Sequence, residues 1–117
     1  MPNINFKIKT EFSSTPGPRY RKEGKWSGEY LREDFIYPIF LKALSDNSKV
    51  FIDLDGTAGY GTSFLEEVFG GLLRVNELDY DEIISSLELK SDEEPYLIED
   101  IHEYLLDAKK QNDAVIQ

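Results

Sequence analysis

The run from Val50 to Leu73 limits this chain more than any other part of it. Val50-Phe51-Ile52-Asp53-Leu54 is apolar on consecutive residues rather than alternate ones, as expected of a strand covered by neighbours in the middle of a sheet. A glycine-rich turn follows, with Gly56, Gly59 and Gly61. Leu65, Val68, Phe69 and Leu72 then fall at the spacing of one buried helix face. A strand, a tight turn and an apolar-faced helix in direct succession require the helix to pack back on the sheet.

The flanking segments extend the same pattern. Ile4, Phe6 and Ile8 alternate with Asn5, Lys7 and Lys9, the period of a half-buried strand. Ser13-Ser14-Thr15-Pro16-Gly17-Pro18 breaks regular structure, and a loop is expected over 12–27. Ser27 is placed to cap a helix over about 28–45, with Tyr37, Phe40, Leu41 and Leu44 facing inward and Pro38 kinking or dividing it. Ser63 with Glu66 has the form of a capping box for the helix over 63–74, and Ser91 with Glu94 repeats it further on. Gly70 and Gly71 weaken the 63–74 helix by about 1 kcal/mol each relative to alanine, so a close neighbour is expected there. Asp79 with Glu82 starts a short helix carrying Ile83, Ile84 and Leu87. Leu87-Glu88-Leu89 is a strand candidate. Leu97, Ile98, Ile101 and Leu105 form the buried side of a last helix, and the polar tail over 110–117 is expected to fray. The order implies one α/β domain over 1–117, with a first strand within 1–11 and a mixed sheet of 3–5 strands under helices.

Charge and composition exclude several classes. The net charge of −10 opposes general binding to nucleic acid. The absence of cysteine removes disulfides and thiolate chemistry. No apolar run approaches the roughly 20 residues that span a bilayer, and the amino terminus lacks a signal-peptide core. A cytoplasmic protein with no membrane role is expected. Basic residues gather early, at Arg19, Arg21, Lys22, Lys25 and Arg32, whereas twelve carboxylates lie between Glu77 and Asp107.

Asp53-Leu54-Asp55-Gly56-Thr57, after an apolar strand, matches the first motif of the haloacid dehalogenase phosphatases, in which one Asp attacks phosphorus beside Mg²⁺. A small phosphatase of that type is the alternative function. The acids after Ser91 fall at a helix start, however, and not at the strand end where those enzymes carry their later acidic motif. A strand terminus turning through Gly56 accounts for the same residues, with no catalytic group and no metal or other cofactor.

A second resemblance covers more of the chain. Phe12-Ser13, Pro16-Gly17 with Arg19, Gly24, Ser27-Gly28-Glu29, Asp53-Leu54-Asp55-Gly56, and Ser63-Phe64-Leu65-Glu66-Glu67 with Phe69-Gly70 resemble the STAS-like family of bacterial proteins called DUF4325. STAS domains are named for sulfate transporters and anti-sigma factor antagonists. The resemblance implies a regulatory module that binds a protein partner, such as a histidine-kinase-like ATPase that phosphorylates a serine or threonine at a helix start. By register Thr62 is the acceptor candidate and Ser63 its neighbour, although Gly61 stands where an Asp usually precedes the acceptor. Gly59, Tyr60, Gly61 and Phe64 would then form a partner surface, joined by Arg19 and Arg21. Arg19–Lys25 could also hold an anion or simply balance an acidic body. Trp26 is read as a core anchor and His102 as an ordinary surface histidine.

Overall fold

A computed structural model describes residues 3–116, with side chains to residue 114. Strands β1 (Asn3–Lys7), β2 (Lys49–Asp53) and β3 (Leu87–Lys90) form one sheet in the order β1-β2-β3. Both pairings are parallel, in register Phe6↔Ile52 and Ile52↔Leu89. The sheet therefore has the smallest strand number expected, and the mixed sheet is corrected to a parallel one. Parallel neighbours need a crossover, and each crossover here is helical. Residues before β1 lie outside the described range.

Ile4, Phe6, Val50, Ile52, Leu87 and Leu89 point toward the helices, and Val50 and Ile52 are fully buried. Asn3, Asn5, Lys7, Lys49, Phe51, Asp53, Glu88 and Lys90 line the opposite face, where none is buried. The strand at the amino end is shorter than 1–11. Its last inward residue, Ile8, opens the helical turn α1 (Ile8–Glu11).

Ser27 caps α2 (Gly28–Leu31), its hydroxyl accepting the Tyr30 N–H at 3.0 Å. The expected helix is divided just before Pro38, which stands in the first turn of its second piece. A π-helical turn over Arg32–Ile36 precedes α3 (Tyr37–Asp46), and the Tyr37 N–H reaches back to the Arg32 carbonyl. That wider turn makes room for a residue lacking an N–H. It also rotates the buried stripe to Leu31, Ile36, Phe40 and Ala43, leaving Leu41 47% exposed against expectation.

Helix α4 (Thr62–Arg74) is buried along nearly its whole length beyond Ser63. It lies tightly on α2, since a Cβ at Gly28 would sit 2.6 Å from the Phe64 carbonyl oxygen. Gly71 leaves room for the Arg32 guanidinium, which is the close neighbour its position called for. Asp79 caps α5 (Tyr80–Ser86) through the Glu82 N–H at 3.0 Å, and α5 runs directly into β3.

The last helix, α6 (Tyr96–Ile116), starts later than the Ser91–Glu94 pattern suggested. Ser91 Oγ donates to the Glu94 carbonyl at 2.7 Å and so closes the preceding turn instead of capping. Helix α6 continues past residue 110, where Asn112 donates to the Leu73 carbonyl at 3.0 Å and Lys109 pairs with Asp113 one turn on at 2.8 Å. The Asn112 bond joins this part of α6 to α4. Gln117 lies outside the described residues.

Candidate functional site

Parallel strands present their carboxyl ends together, and in open α/β sheets that edge is the usual place for a site. Two turns meet there. The first, Asp53–Thr57, is closed by its own hydrogen bonds. Asp55 accepts the N–H groups of Glu93 at 3.0 Å and Asp92 at 3.1 Å, and Lys90 Nζ at 2.9 Å. The Glu93 N–H and then the Lys90 ammonium hold its carboxyl down at about 2. Asp53 accepts the Asp55 N–H at 2.9 Å, with Lys90 at 3.9 Å and Lys7 at 4.0 Å. Gly56, at φ +90°, gives its N–H to Glu93 at 2.6 Å. Among the described residues no group of three or more acidic or histidine side chains is placed to hold a metal ion. The pair of aspartates fastens β2 and β3 to the chain entering α6, and its geometry gives the phosphatase motif no support.

The second turn, Gly59–Ser63, is built differently. Tyr60 is half-buried, donating its hydroxyl to the Leu54 carbonyl at 2.7 Å and lying 6.0 Å from Phe64, so burial pushes its phenol up to about 12. Phe64 is 1% exposed and belongs to the core. Phe64 therefore leaves the expected partner surface, and Tyr60 presents only part of its ring. Gly61, Thr62 and Ser63 are exposed.

The capping expectation fails here. The residue before the helix is Gly61, no side chain caps it, and Ser63 already stands inside the first turn. Glu66, the other half of the supposed box, turns away to Arg19 at 2.6 Å and to Arg74. Burial pushes its carboxyl up, but the Arg74 and Arg19 hydrogen bonds outweigh this and hold it below the ordinary range. Thr62 is beside the Tyr104 hydroxyl of α6.

The basic loop comes to the same place. Gly17 donates to the Trp26 carbonyl at 2.8 Å, Gly28 to Pro18 at 2.9 Å and Glu29 to Arg19 at 2.9 Å, which pinches off residues 20–25 as a tip. A single 3₁₀ turn, Arg21–Glu23, lies within this loop. Pro18, Arg19, Tyr20, Lys22, Glu23 and Ser63 line one cleft. The structure thus brings Ser63 together with the basic loop. Arg19 and Arg21 are not free for an anion, because Arg19 binds Glu66 and Glu67 and Arg21 binds Glu33 and Asp34. Lys22 lies 5.8 Å from the exposed Tyr20 ring and has no carboxylate partner among the described residues. Lys25 covers Trp26 at 4.7 Å, and Trp26 is half-buried against Phe12. His102 is exposed on α6.

Sequence reasoning missed Arg32. Its side chain is 1% exposed and pairs with Glu67, whose carbonyl it also reaches at 3.1 Å. Arg19 and Arg74 approach the same Glu67 at 3.0 and 3.8 Å. The available signal was Glu67 itself, which falls between Phe64 and Gly71 on the buried side of α4.

The chain matches the family described as a STAS-like domain of unknown function (DUF4325) over residues 27–97, more than half its length. It belongs to that family. The STAS-like match opens at the Ser27 cap and closes at Leu97 in the first turn of α6, so it spans the 53–63 turns and β3, and leaves the basic loop outside. No curated protein and no solved structure matches the chain. Among the described residues no helix is long and apolar enough to cross a membrane.

Proposed function

We propose that this STAS-like domain is a cytoplasmic, non-enzymatic regulator that binds a protein partner through Gly59–Ser63 and the adjoining loop tip. The observation that carries the reading is the exposed start of α4. Thr62 and Ser63 stand on the first turn of a buried thirteen-residue helix without capping it, and Ser63 faces a cleft shared with Arg19, Tyr20 and Lys22. Gly59 and Gly61 have nothing within 4 Å of where a Cβ would lie, which lets another backbone approach.

Phosphorylation of Thr62 or Ser63 supplies the switch in this reading. A phosphate adds about −1.5 to −2 charges at neutral pH. The amides and dipole at the start of α4 tolerate it within the protein, while an acidic or apolar partner surface would be repelled or desolvated. The proposed partner, from the STAS resemblance, is a histidine-kinase-like ATPase. Neither the partner nor the acceptor depends on refolding.

Capture from host extract tests the reading, with wild type, Thr62→Glu, Ser63→Glu and the matching alanine variants immobilised side by side. The glutamates are expected to lose a partner that the alanines retain, and phosphopeptide mapping is expected to find phosphate on Thr62 or Ser63. Identical partner sets for all five proteins, with no phosphate at either hydroxyl, would remove the switch.

A further inference from the structure

We propose that β3 is the seam of a homodimer, in which the β3 strands of two copies pair antiparallel about a two-fold axis through Leu89 and join two three-stranded sheets into one. The inference is independent of the partner site above.

It begins with backbone direction. The Lys90 carbonyl accepts the Leu54 N–H at 2.8 Å, so Lys90 turns its backbone groups toward β2. Alternation along a strand gives Glu88 the same direction and turns those of Leu87, Leu89 and Ser91 outward, away from the sheet. The Leu87 N–H is taken by the Ile83 carbonyl at the end of α5. Among the described residues no loop, cap or side-chain bond takes up the Leu89 N–H or carbonyl, the Leu87 carbonyl or the Ser91 N–H. A two-fold axis at Leu89 pairs these groups without remainder. Leu89 exchanges two hydrogen bonds with its copy, and each Ser91 N–H meets the other chain's Leu87 carbonyl.

The side chains agree with that register. Glu88 faces Lys90 of the second copy on the open face, and Lys90 faces Glu88 in return; Lys90 keeps its bonds to Asp55 and Asp92, and its third N–H is the one Glu88 meets, giving two opposite-charge cross-strand pairs. Leu87 and Leu89 stay on the helix side. Leu89 is only half-buried although Val50 and Ile52, on the same face, are fully so; pairing covers it.

The other edge does not offer this. The Lys7 N–H, at the outer side of β1, is already bound by Glu11 at 2.7 Å. A two-fold axis at Asn5 would set Lys7 opposite Asn3, with no charge pair. The Leu87 N–H of β3 is occupied in the same way, so what separates the two edges is the charge register, which β3 has and β1 lacks.

Sedimentation velocity over a concentration series to several hundred micromolar tests the seam, together with a Glu88→Lys variant that places lysine opposite lysine. Glu88 forms no ion pair among the described residues, and circular dichroism checks that the variant is folded. The wild type is expected to form dimers, with association weakened about tenfold or more in the variant, as reversal of two cross-strand pairs implies. Carbodiimide coupling of mixed ¹⁴N and ¹⁵N protein is expected to give an interchain Glu88–Lys90 cross-link. A wild type monomeric throughout would overturn the proposal. So would a dimer that Glu88→Lys leaves unchanged and whose cross-links lie elsewhere.

Discussion

The two turns at the carboxyl end of the sheet are separated by a single residue, Ala58, and opposite in character. Asp53–Thr57 carries the residues that look chemical, and nearly every polar group there is already spent within the fold. Apart from Tyr60, Gly59–Ser63 carries small residues, and its two hydroxyls at the helix start are left exposed. The lesson is that residue type names what a side chain can do, whereas its existing partners decide whether it is free to do it. Asp55 with three donors is an anchor. Ser63 with no capping role, facing a cleft, is a surface on offer.

If that division is right, substitutions in the closed parts cost stability and those at the open turn cost binding. The largest loss is expected from Arg32→Met, which leaves Glu67 in the core with only the more distant Arg19 and Arg74. Breaking a buried pair from one side costs about 3–5 kcal/mol, to be read from urea unfolding. A loss under about 1 kcal/mol would show that Arg19 and Arg74 suffice.

A smaller effect should come from Asp55→Asn, best seen against pH. The Asp55 carboxyl is held at about 2 in the folded chain, below the unfolded value of about 3.9. Its contribution is therefore complete above about pH 4 and lost as pH falls toward 2. Thermal melts between pH 5 and 2 should show a steeper decline for the wild type than for Asp55→Asn. Parallel curves would mean that the bonds to Asp92, Glu93 and Lys90 contribute nothing.

Two serines sharpen the comparison further. Ser27→Ala removes a working cap and is expected to cost about 1 kcal/mol. Ser63→Ala is expected to stay within about 0.5 kcal/mol, the range of ordinary surface changes. Equal losses would restore Ser63 as a cap. The smallest effect expected is none at all: neither wild type nor Asp53→Asn should turn over p-nitrophenyl phosphate or acetyl phosphate with Mg²⁺. Turnover abolished by that one change would reopen the closed turn as an active site.

Much of the fold was legible because apolar spacing reports burial directly. The strands at Ile4–Phe6, Val50–Asp53 and Leu87–Leu89 and the inward face of α4 follow from it. What was not legible depended on geometry that sequence spacing does not carry. The π turn before Pro38 shifted the buried stripe and exposed Leu41. Glu66 had the right spacing for a capping box, yet Arg19 and Arg74 bind it instead, and those partners come from distant parts of the chain. Asn112 donates to the Leu73 carbonyl of α4, a contact that no local pattern announces. At the site, the meeting of Ser63 with the basic loop fits the expected grouping, but Phe64 belongs to the core, because α4 is buried over a wider face than the Leu65, Val68, Phe69 and Leu72 stripe.

The most direct measurement is amide-resolved mapping of a ¹⁵N-labelled chain as the captured partner is added. The account predicts that perturbed signals gather at Gly59, Tyr60, Gly61, Thr62 and Ser63, and at Arg19–Lys22, while Asp53, Asp55 and Asp92–Glu94 hold still. Perturbation centred on Asp53–Gly56 and the turn before α6, with Gly61–Ser63 unmoved, would contradict it.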